Sequence, residues 1–395
     1  MGIEFNNEQI YAIYDMESWY HSASSDQVFE ISGPAGSGKT TLIRYLIERL
    51  NLKYDEVLFL AYMGKAASQM ARNGLPAKTI HSTIYDYVKV YDRDEKGKII
   101  FTEDRKPKMK KTFVKKDRLD KKIKLIVVDE GSTVDEKIGK DLLSFGIPVI
   151  VLGDLNQLPP VFGNSYFLKS PNVILHQIMR QEEGNPIIWL SQQVLAGKDL
   201  KIGIYDNSAV IKREDINPNY FKKSDIILTC TNRLRYNVNN FCREEIKQIQ
   251  KLEYPHIGEK VVCRKNNWGK CIDGLYYLTN GTTGFVDYIS KESFNGKTME
   301  MDFRLDFLKK SFKHIKFDYN HLYSIPGTEE ENQDYASMFY DKIEFGYALT
   351  VHSSQGSQWP GVCFLFEEMM RDKEDRKKLL YTGITRASDY VIIAI

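Results

Sequence analysis

The sequence predicts an α/β fold made of two parallel-sheet bodies, and three observations carry that expectation. Apolar strand-like runs alternate with helical patterns over residues 28–153, the order that builds a parallel sheet flanked by helices. A second alternating series begins near Val173 and closes with residues 390–394. Between residues 255 and 340 the texture changes to short β runs with Gly and Asn turns, which reads as a small β-barrel set into the second series. With 395 residues, 42% of them hydrophobic, the chain has material for several buried cores.

Taken in order, residues 28–32 form a short apolar strand. Gly33, Pro34, Ala35, Gly36, Ser37, Gly38, Lys39 and Thr40 follow it as a full match to G-x-x-x-x-G-K-[ST]. Thr41 opens a stretch of helical spacing. Glycines here let backbone N–H groups turn inward around an anion, and the helix start adds the positive end of its dipole. Lys39 is then placed for the β- and γ-phosphates of a nucleoside triphosphate, and the Thr40 hydroxyl for Mg²⁺. Residues 57–61 and 125–129 read as buried strands, with a helix over 64–73 between them. The second strand ends in Asp129 and Glu130. Adjacent carboxylates at a strand end divide the labour: Asp129 for the metal, Glu130 to orient and deprotonate an attacking water. A phosphotransferase does not require that glutamate, so the pair favours hydrolysis. Residues 148–152 give another strand before Gly153, Asp154 and Gln157, and Gln157 is placed to bond a terminal phosphate.

A net charge of +2 announces no nucleic-acid partner, but its distribution does. From Arg105 to Lys124 there are eleven Lys/Arg and two acidic residues. Residues 99–102 and 112–114 are expected to pair as a projecting hairpin with Pro107 near its tip. Lys106, Lys108, Lys110 and Lys111 would draw in phosphates, and Phe101 or Phe113 would stack on a base; the alternative is a solvated charged hairpin with its phenylalanines turned into a small core. In the second series, residues 226–230 read as a strand and 232–249 as a long helix. Five scattered cysteines without C-x-x-C spacing indicate neither a disulfide framework nor a zinc site. The sequence shows no signal peptide and no long apolar span, so the expected compartment is the cytoplasm.

With the string from Gly153 to Pro160 the chain resembles the superfamily 1 DNA helicases of the 1B group, near the RecD-like and bacteriophage Dda-type enzymes. The other motifs follow in the family's order. The 5–9 segment resembles the one whose glutamine reads adenine, which makes Gln9 the adenine candidate. The 62–67 segment resembles a strand-to-helix piece that contacts DNA through Gly64 and Lys65, with Met63 where Thr is usual. The 78–82 segment resembles the next contact, through Thr79 and His81. Asp129-Glu130-Gly131-Ser132 resembles D-E-A-S. Arg180 and Arg386 stand where the family carries two arginine fingers, and residues 350–358 resemble T-V-H-K-S-Q-G-S, with DNA contacts from Thr350 and His352 and a nucleotide contact from Gly356. Ser353 and Gln358 depart from that pattern, removing a lysine and an acidic residue.

The resemblance implies two RecA-like P-loop domains, with an inserted β-hairpin pin and an inserted SH3-like β-barrel. The expected bounds are 1–88 with 124–165 for the first domain and 89–123 for the pin. The second domain is expected at 166–254 with 341–395, and the barrel at 255–340. Residues 280–286 resemble the barrel's N-G-x-x-G-x-V segment, and Trp268, Tyr276 and Tyr277 are candidates for a DNA channel. Asn232 is a further DNA-contact candidate. The implied activity is ATP- and Mg²⁺-dependent translocation on single-stranded DNA, 5′-to-3′, with unwinding of fork or duplex DNA. The alternative is a DNA-stimulated ATPase that clamps or remodels protein–DNA complexes without strand separation. The implied setting is a monomer in a bacterial cell or phage-infected host, without membrane, alongside proteins of replication, recombination or repair.

Overall fold

The computed structural model describes the chain apart from residues 1–4, 23–25, 35, 93–96, 102–106, 108, 160–164, 178–184, 250–253, 275, 291–297, 307, 320–321, 323–339 and 368–371. The side chains of residues 87, 89, 110, 111 and 268 are likewise outside the description. Among the described residues no helix is long and apolar enough to cross a membrane. All five cysteines are free.

The first sheet runs, edge to edge, Lys78–Thr79, Val57–Ala61, Leu125–Asp129, Val149–Gly153, Val28–Ser32 and Val173–Ile174, every pair parallel. Its central strands are buried on both faces, as parallel strands with helices above and below must be. Period two is visible in Leu125–Asp129. Leu125 and Val127 pack with Ala12, Met16, Leu42 and Leu46 on one face. Ile126 and Val128 pack with Ile80, Ile84, Ile138 and Leu142 on the other. Each such fully buried side chain contributes about 1.5–3 kcal/mol of transfer free energy. The pairing of Val173 and Ile174 with Ile31 and Ser32 carries this sheet past residue 165, the expected end of the first domain. Two residues are too short a strand for periodicity to reveal.

The second sheet runs Ala348–Thr350, Ile226–Thr229, Trp359–Leu365, Ala387–Ala394, Ser208–Ile211 and Gly203–Tyr205, parallel except for the last pair. Between its parts lies an antiparallel sheet in the order Ser311–Asp318, Thr298–Leu305, Thr283–Ile289, Lys260–Cys263, Ile343–Phe345. A bridge between Phe317 and Asp341 links its two edges. Its core residues Met301, Phe303 and Phe317 are continuous with Val238 and Cys242 of the second body. The junction also holds a buried ion pair. Arg243 donates to both oxygens of Glu259 at 2.8 and 3.1 Å, Tyr347 Oη donates to Glu259 at 3.0 Å, and the guanidinium lies 4.0 Å from the Phe345 ring centroid. The expected 232–249 helix is α-helical over Asn232–Phe241 and widens into a π-turn over Cys242–Ile246.

The basic stretch forms a hairpin with a pairing other than the expected one. Tyr85–Tyr91 pairs antiparallel with Met109–Lys115, so Thr112 to Val114 face Asp86 to Val88 and not residues 99–102. The hairpin therefore starts at Tyr85, before residue 89. The alternation Tyr-Asp-Tyr-Val-Lys-Val-Tyr carries the strand signal, and the expected pin bounds placed its first part in the preceding domain. Phe101 lies farther out and bridges Pro107.

Candidate active site

A cleft of about 600 Å³ separates the two parallel-sheet bodies, and most of the expected catalytic side chains converge on it. One wall is the phosphate loop. Gly36 and Gly38 sit at φ +84° and +85°, a region that disfavours a Cβ, and Gly38 leads directly into helix Lys39–Arg49. Lys39 Nζ is buried and donates to the carbonyls of Gly33 and Pro34, the latter at 2.9 Å. Burial holds its ammonium below the usual lysine range, against the pull of Asp154, Asp129 and Glu130. Thr40, Thr41 and Gly356 line the same cleft. Ala35 lies outside the described residues.

Asp129 and Glu130 follow the end of their strand into the cleft. Glu130 adopts left-handed backbone at φ +53°, and its carbonyl accepts from Thr133 Oγ1 at 2.7 Å. Burial raises both carboxyls, and for Glu130 burial and the neighbouring Asp129 charge push the carboxyl up to about 7. Gln157 is buried, and its Oε1 has no hydrogen-bond partner among the described residues. From the opposite wall comes Arg386, 4% exposed, donating to the carbonyls of Thr382 and Ser357 at 3.1 and 3.3 Å. Its charge opposes the rise of Glu130. Arg180 lies outside the described residues.

Sequence reasoning missed the bonds that join the walls. Tyr381 Oη donates to Asp154 Oδ2 at 2.7 Å, Leu158 N donates to Thr382 Oγ1 at 3.0 Å, and Gln355 Nε2 donates to Leu158 O at 2.7 Å. Gln9 also does more than was expected of it. Its Oε1 accepts from Asn6 N at 3.1 Å and its Nε2 donates to Ser37 O at 3.0 Å, so here it braces the phosphate loop.

The expected DNA contacts divide into three sets. Thr79 and Thr350 each end an edge strand and cap the helix that follows, accepting from Ser82 N and Ser353 N at 3.2 and 3.3 Å. Each donates to its serine Oγ at 2.9 Å, and that serine donates back to the threonine carbonyl at 3.0 Å. His81 and His352 occupy equivalent places in the two turns, and burial lowers both imidazoles below the usual range. Ser353, where the family pattern has lysine, thus repeats the role of Ser82. The His81 ring lies 5.6 Å from Tyr62 and 5.7 Å from Phe113, which is 42% exposed. Phe101, also exposed, stands apart from that cluster. Asn232 is exposed, and its Oδ1 accepts from Arg235 at 3.3 Å. Gly64 is covered, since a side chain there would collide with Thr279. Lys65 points its Nζ into a second cavity, lined also by Tyr276 and Tyr277. Lys106, Lys108 and the Trp268, Lys110 and Lys111 side chains lie outside the description.

The AAA domain family model matches residues 6–215, more than half of the chain, and the UvrD-like helicase C-terminal domain matches residues 345–394. The chain is 26% identical to the ATP-dependent DNA helicase Pif1 of Campylobacter jejuni, covering 92% of this chain and 87% of that one. It is 26% identical to the ATP-dependent RecD2 DNA helicase of Deinococcus radiodurans over 67% of this chain and 35% of that one. It spans about a third of the length of the longer curated relatives it matches. A crystal structure of Pif1 helicase from Bacteroides in complex with ADP-AlF3 and ssDNA superposes with TM-score 0.53 at 18% identity, over 99% of this chain and 92% of that one. The two parallel-sheet bodies therefore share its fold.

Proposed function

We propose that this chain, which belongs to the superfamily 1B helicases through an AAA domain covering more than half of it, is an ATP-driven motor on single-stranded DNA that opens duplex ahead of it. The observation that carries this reading is the composite cleft. Lys39, Asp129 and Glu130 stand on one body and Arg386 on the other, so only their approach completes a hydrolytic site. The residues fit a nucleotide with a metal. Asp129 is a half-buried carboxylate facing the cleft, Thr40 lines the same space, and Gln157 Oε1 lacks a partner among the described residues. Thr40 and Asp129 would hold Mg²⁺, which supplies charge neutralisation at the β- and γ-phosphates.

Glu130 takes the proton of the attacking water, Lys39 leaves its own loop carbonyls for the phosphates, and Arg386 stabilises charge on the γ-phosphoryl oxygens. Arg180 is the second finger of this reading. Gln9 reads adenine after exchanging its bond to Ser37. The twin Thr79/His81 and Thr350/His352 turns grip the strand alternately as the cleft closes and opens, with 5′-to-3′ polarity. Asn232 adds a strand contact. The hairpin at 85–115 is the pin, with Phe113 beside the first grip and Phe101 farther out, and the antiparallel sheet at 260–345 is the SH3-like barrel.

The test is ATP hydrolysis with and without a single-stranded oligonucleotide, then unwinding of a forked duplex with either a 5′ or a 3′ tail. Stimulation of about tenfold or more, with unwinding only from the 5′ tail, supports the motor. Stimulation without unwinding from either tail replaces it with the clamp. An unchanged hydrolysis rate sinks both.

A further inference from the structure

We infer that Asp141 and Ser144, at the end of the helix that follows the paired carboxylates, are positioning residues for strand separation. They fasten the root of the hairpin to the first body, so that the hairpin moves with that body as a stiff strut. The inference rests on the pin reading above and deepens it.

The hairpin is a two-stranded ribbon. Tyr85–Tyr91 and Met109–Lys115 pair with each other and, among the described residues, with no third strand. Such a ribbon is marginally stable in water by itself, and it becomes firm only with further strands or a helix against it. A ribbon that splits a duplex must not yield to the base pairs pressed on it. Its stiffness has to come from its root.

One cross-strand pair supplies the root. Tyr85 opens the first strand, Lys115 closes the second, and the two stand opposite each other. Both reach the end of helix Glu136–Leu143, whose C-cap is Ser144. Tyr85 Oη donates to Asp141 Oδ2 at 2.6 Å, and Lys115 Nζ donates to Ser144 Oγ at 2.6 Å. Asp141 and Ser144 are three positions apart, which puts both anchors on one face of the helix. Ser144 Oγ donates in turn to the Asp141 carbonyl at 2.7 Å, so the two anchors end on a single turn. The phenol-to-carboxylate bond is charge-assisted and stronger than a neutral one. Burial and the Asp141 carboxylate push the Tyr85 phenol up, which keeps it a donor. Beside the pair, Lys116 N donates to Ile84 O and Lys116 Nζ to Thr83 O, both at 2.9 Å.

The root also touches the parts that move. The Tyr85 ring packs in one core with Ile84, Ile138 and Leu142, and lies 5.6 Å from the His81 ring of the first grip. Helix Glu136–Leu143 follows Glu130 after the turn Gly131–Thr133 and the Asp135 cap. Carboxylate pair, grip and hairpin root thus share one rigid neighbourhood, and closure of the cleft carries the hairpin with it.

The experiment compares the double variant Asp141→Ala, Ser144→Ala with the unaltered chain in three rates. These are ATP hydrolysis with oligo-dT, translocation along oligo-dT read by a terminal fluorophore, and unwinding of a forked duplex. Neither residue lies in the cleft, on a grip or in the hairpin. Unwinding should fall roughly tenfold or more, because a yielding hairpin leaves each base-pair step to thermal opening, while the other rates stay within about twofold. The conservative pair Asp141→Asn, Ser144→Thr keeps both acceptors and should unwind at close to the original rate. Unchanged unwinding in the alanine variant overturns the inference. So does an equal fall in all three rates, which would make the two residues supports of the fold alone, and so does a conservative pair as defective as the alanine pair. A last variant replaces residues 92–108 by an Asn-Gly turn between the paired Tyr91 and Met109. If it unwinds as the original does, the pin reading beneath the inference is removed instead.

Discussion

Glu130 is a β-carbon-bearing residue held in left-handed backbone, a placement that costs about 1–3 kcal/mol and persists where the surroundings impose it. The Thr133 hydroxyl on its carbonyl and the Asp129 carboxylate on its amide, 3.0 Å away, are those surroundings. Glu130→Gln keeps the shape and removes the proposed base. We expect steady-state hydrolysis to fall by roughly 10²–10⁴ while nucleotide binding, read by fluorescence of a labelled analogue, is retained. Arg386→Ala should cost about 10³–10⁵ in the same rate. A loss below tenfold for Arg386→Ala would remove it from the transition state. Lys39 and Glu130 were legible because each sits in a short string whose chemistry is local, a glycine-rich turn before a lysine and a carboxylate pair after four apolar residues, whereas Arg386 came only with the family resemblance. The bond between Asp154 and Tyr381 was not legible, because their partnership spans 227 positions and nothing in either neighbourhood announces the other.

At the scale of elements, the twin turns after Lys78–Thr79 and Ala348–Thr350 have the same hydrogen bonds, and sequence showed the matching Thr-x-His-Ser strings without showing that geometry. Replacing either threonine by valine removes the cap, and we expect about 1 kcal/mol of lost stability in denaturant unfolding. On the proposed reading the same change weakens oligonucleotide binding, more than its stability cost explains. The central strands were legible because continuous apolar runs leave little choice. The hairpin was not, since alternation at 85–91 follows a five-residue helix with no Gly or Pro to separate them. The seat of the inserted sheet was also hidden. Arg243 and Glu259 lie in regions of unremarkable charge, yet they are 2% and 3% exposed. Arg243→Ala strands a buried carboxylate and should cost about 3–5 kcal/mol, whereas replacing both partners with apolar residues should cost much less. A cheap single variant would show that water reaches Glu259.

For the whole molecule, the question is what lets one body sense the other. Among the described residues, the three bonds from Asp154 and Leu158 to Tyr381, Thr382 and Gln355 tie the segment after Val149–Gly153 directly to the body that carries Arg386. Asp154 is also the largest acidic influence on Lys39, ahead of Asp129 and Glu130. Tyr381 stands five positions before Arg386, so its hydroxyl links the turn of the proposed finger to the carboxylate that acts on Lys39. Tyr381→Phe deletes that one donor and leaves a ring that still fills its buried place. If the tie sets the approach of the two walls, kcat for ATP should fall roughly tenfold with little change in KM, because on the proposed reading nucleotide binds mainly to the first body. In an Asp154→Ala background the same substitution should have no further effect, since its partner is already gone. Additive losses would mean that Tyr381 acts by packing alone, and a rise in KM at constant kcat would place it in nucleotide binding and not in closure.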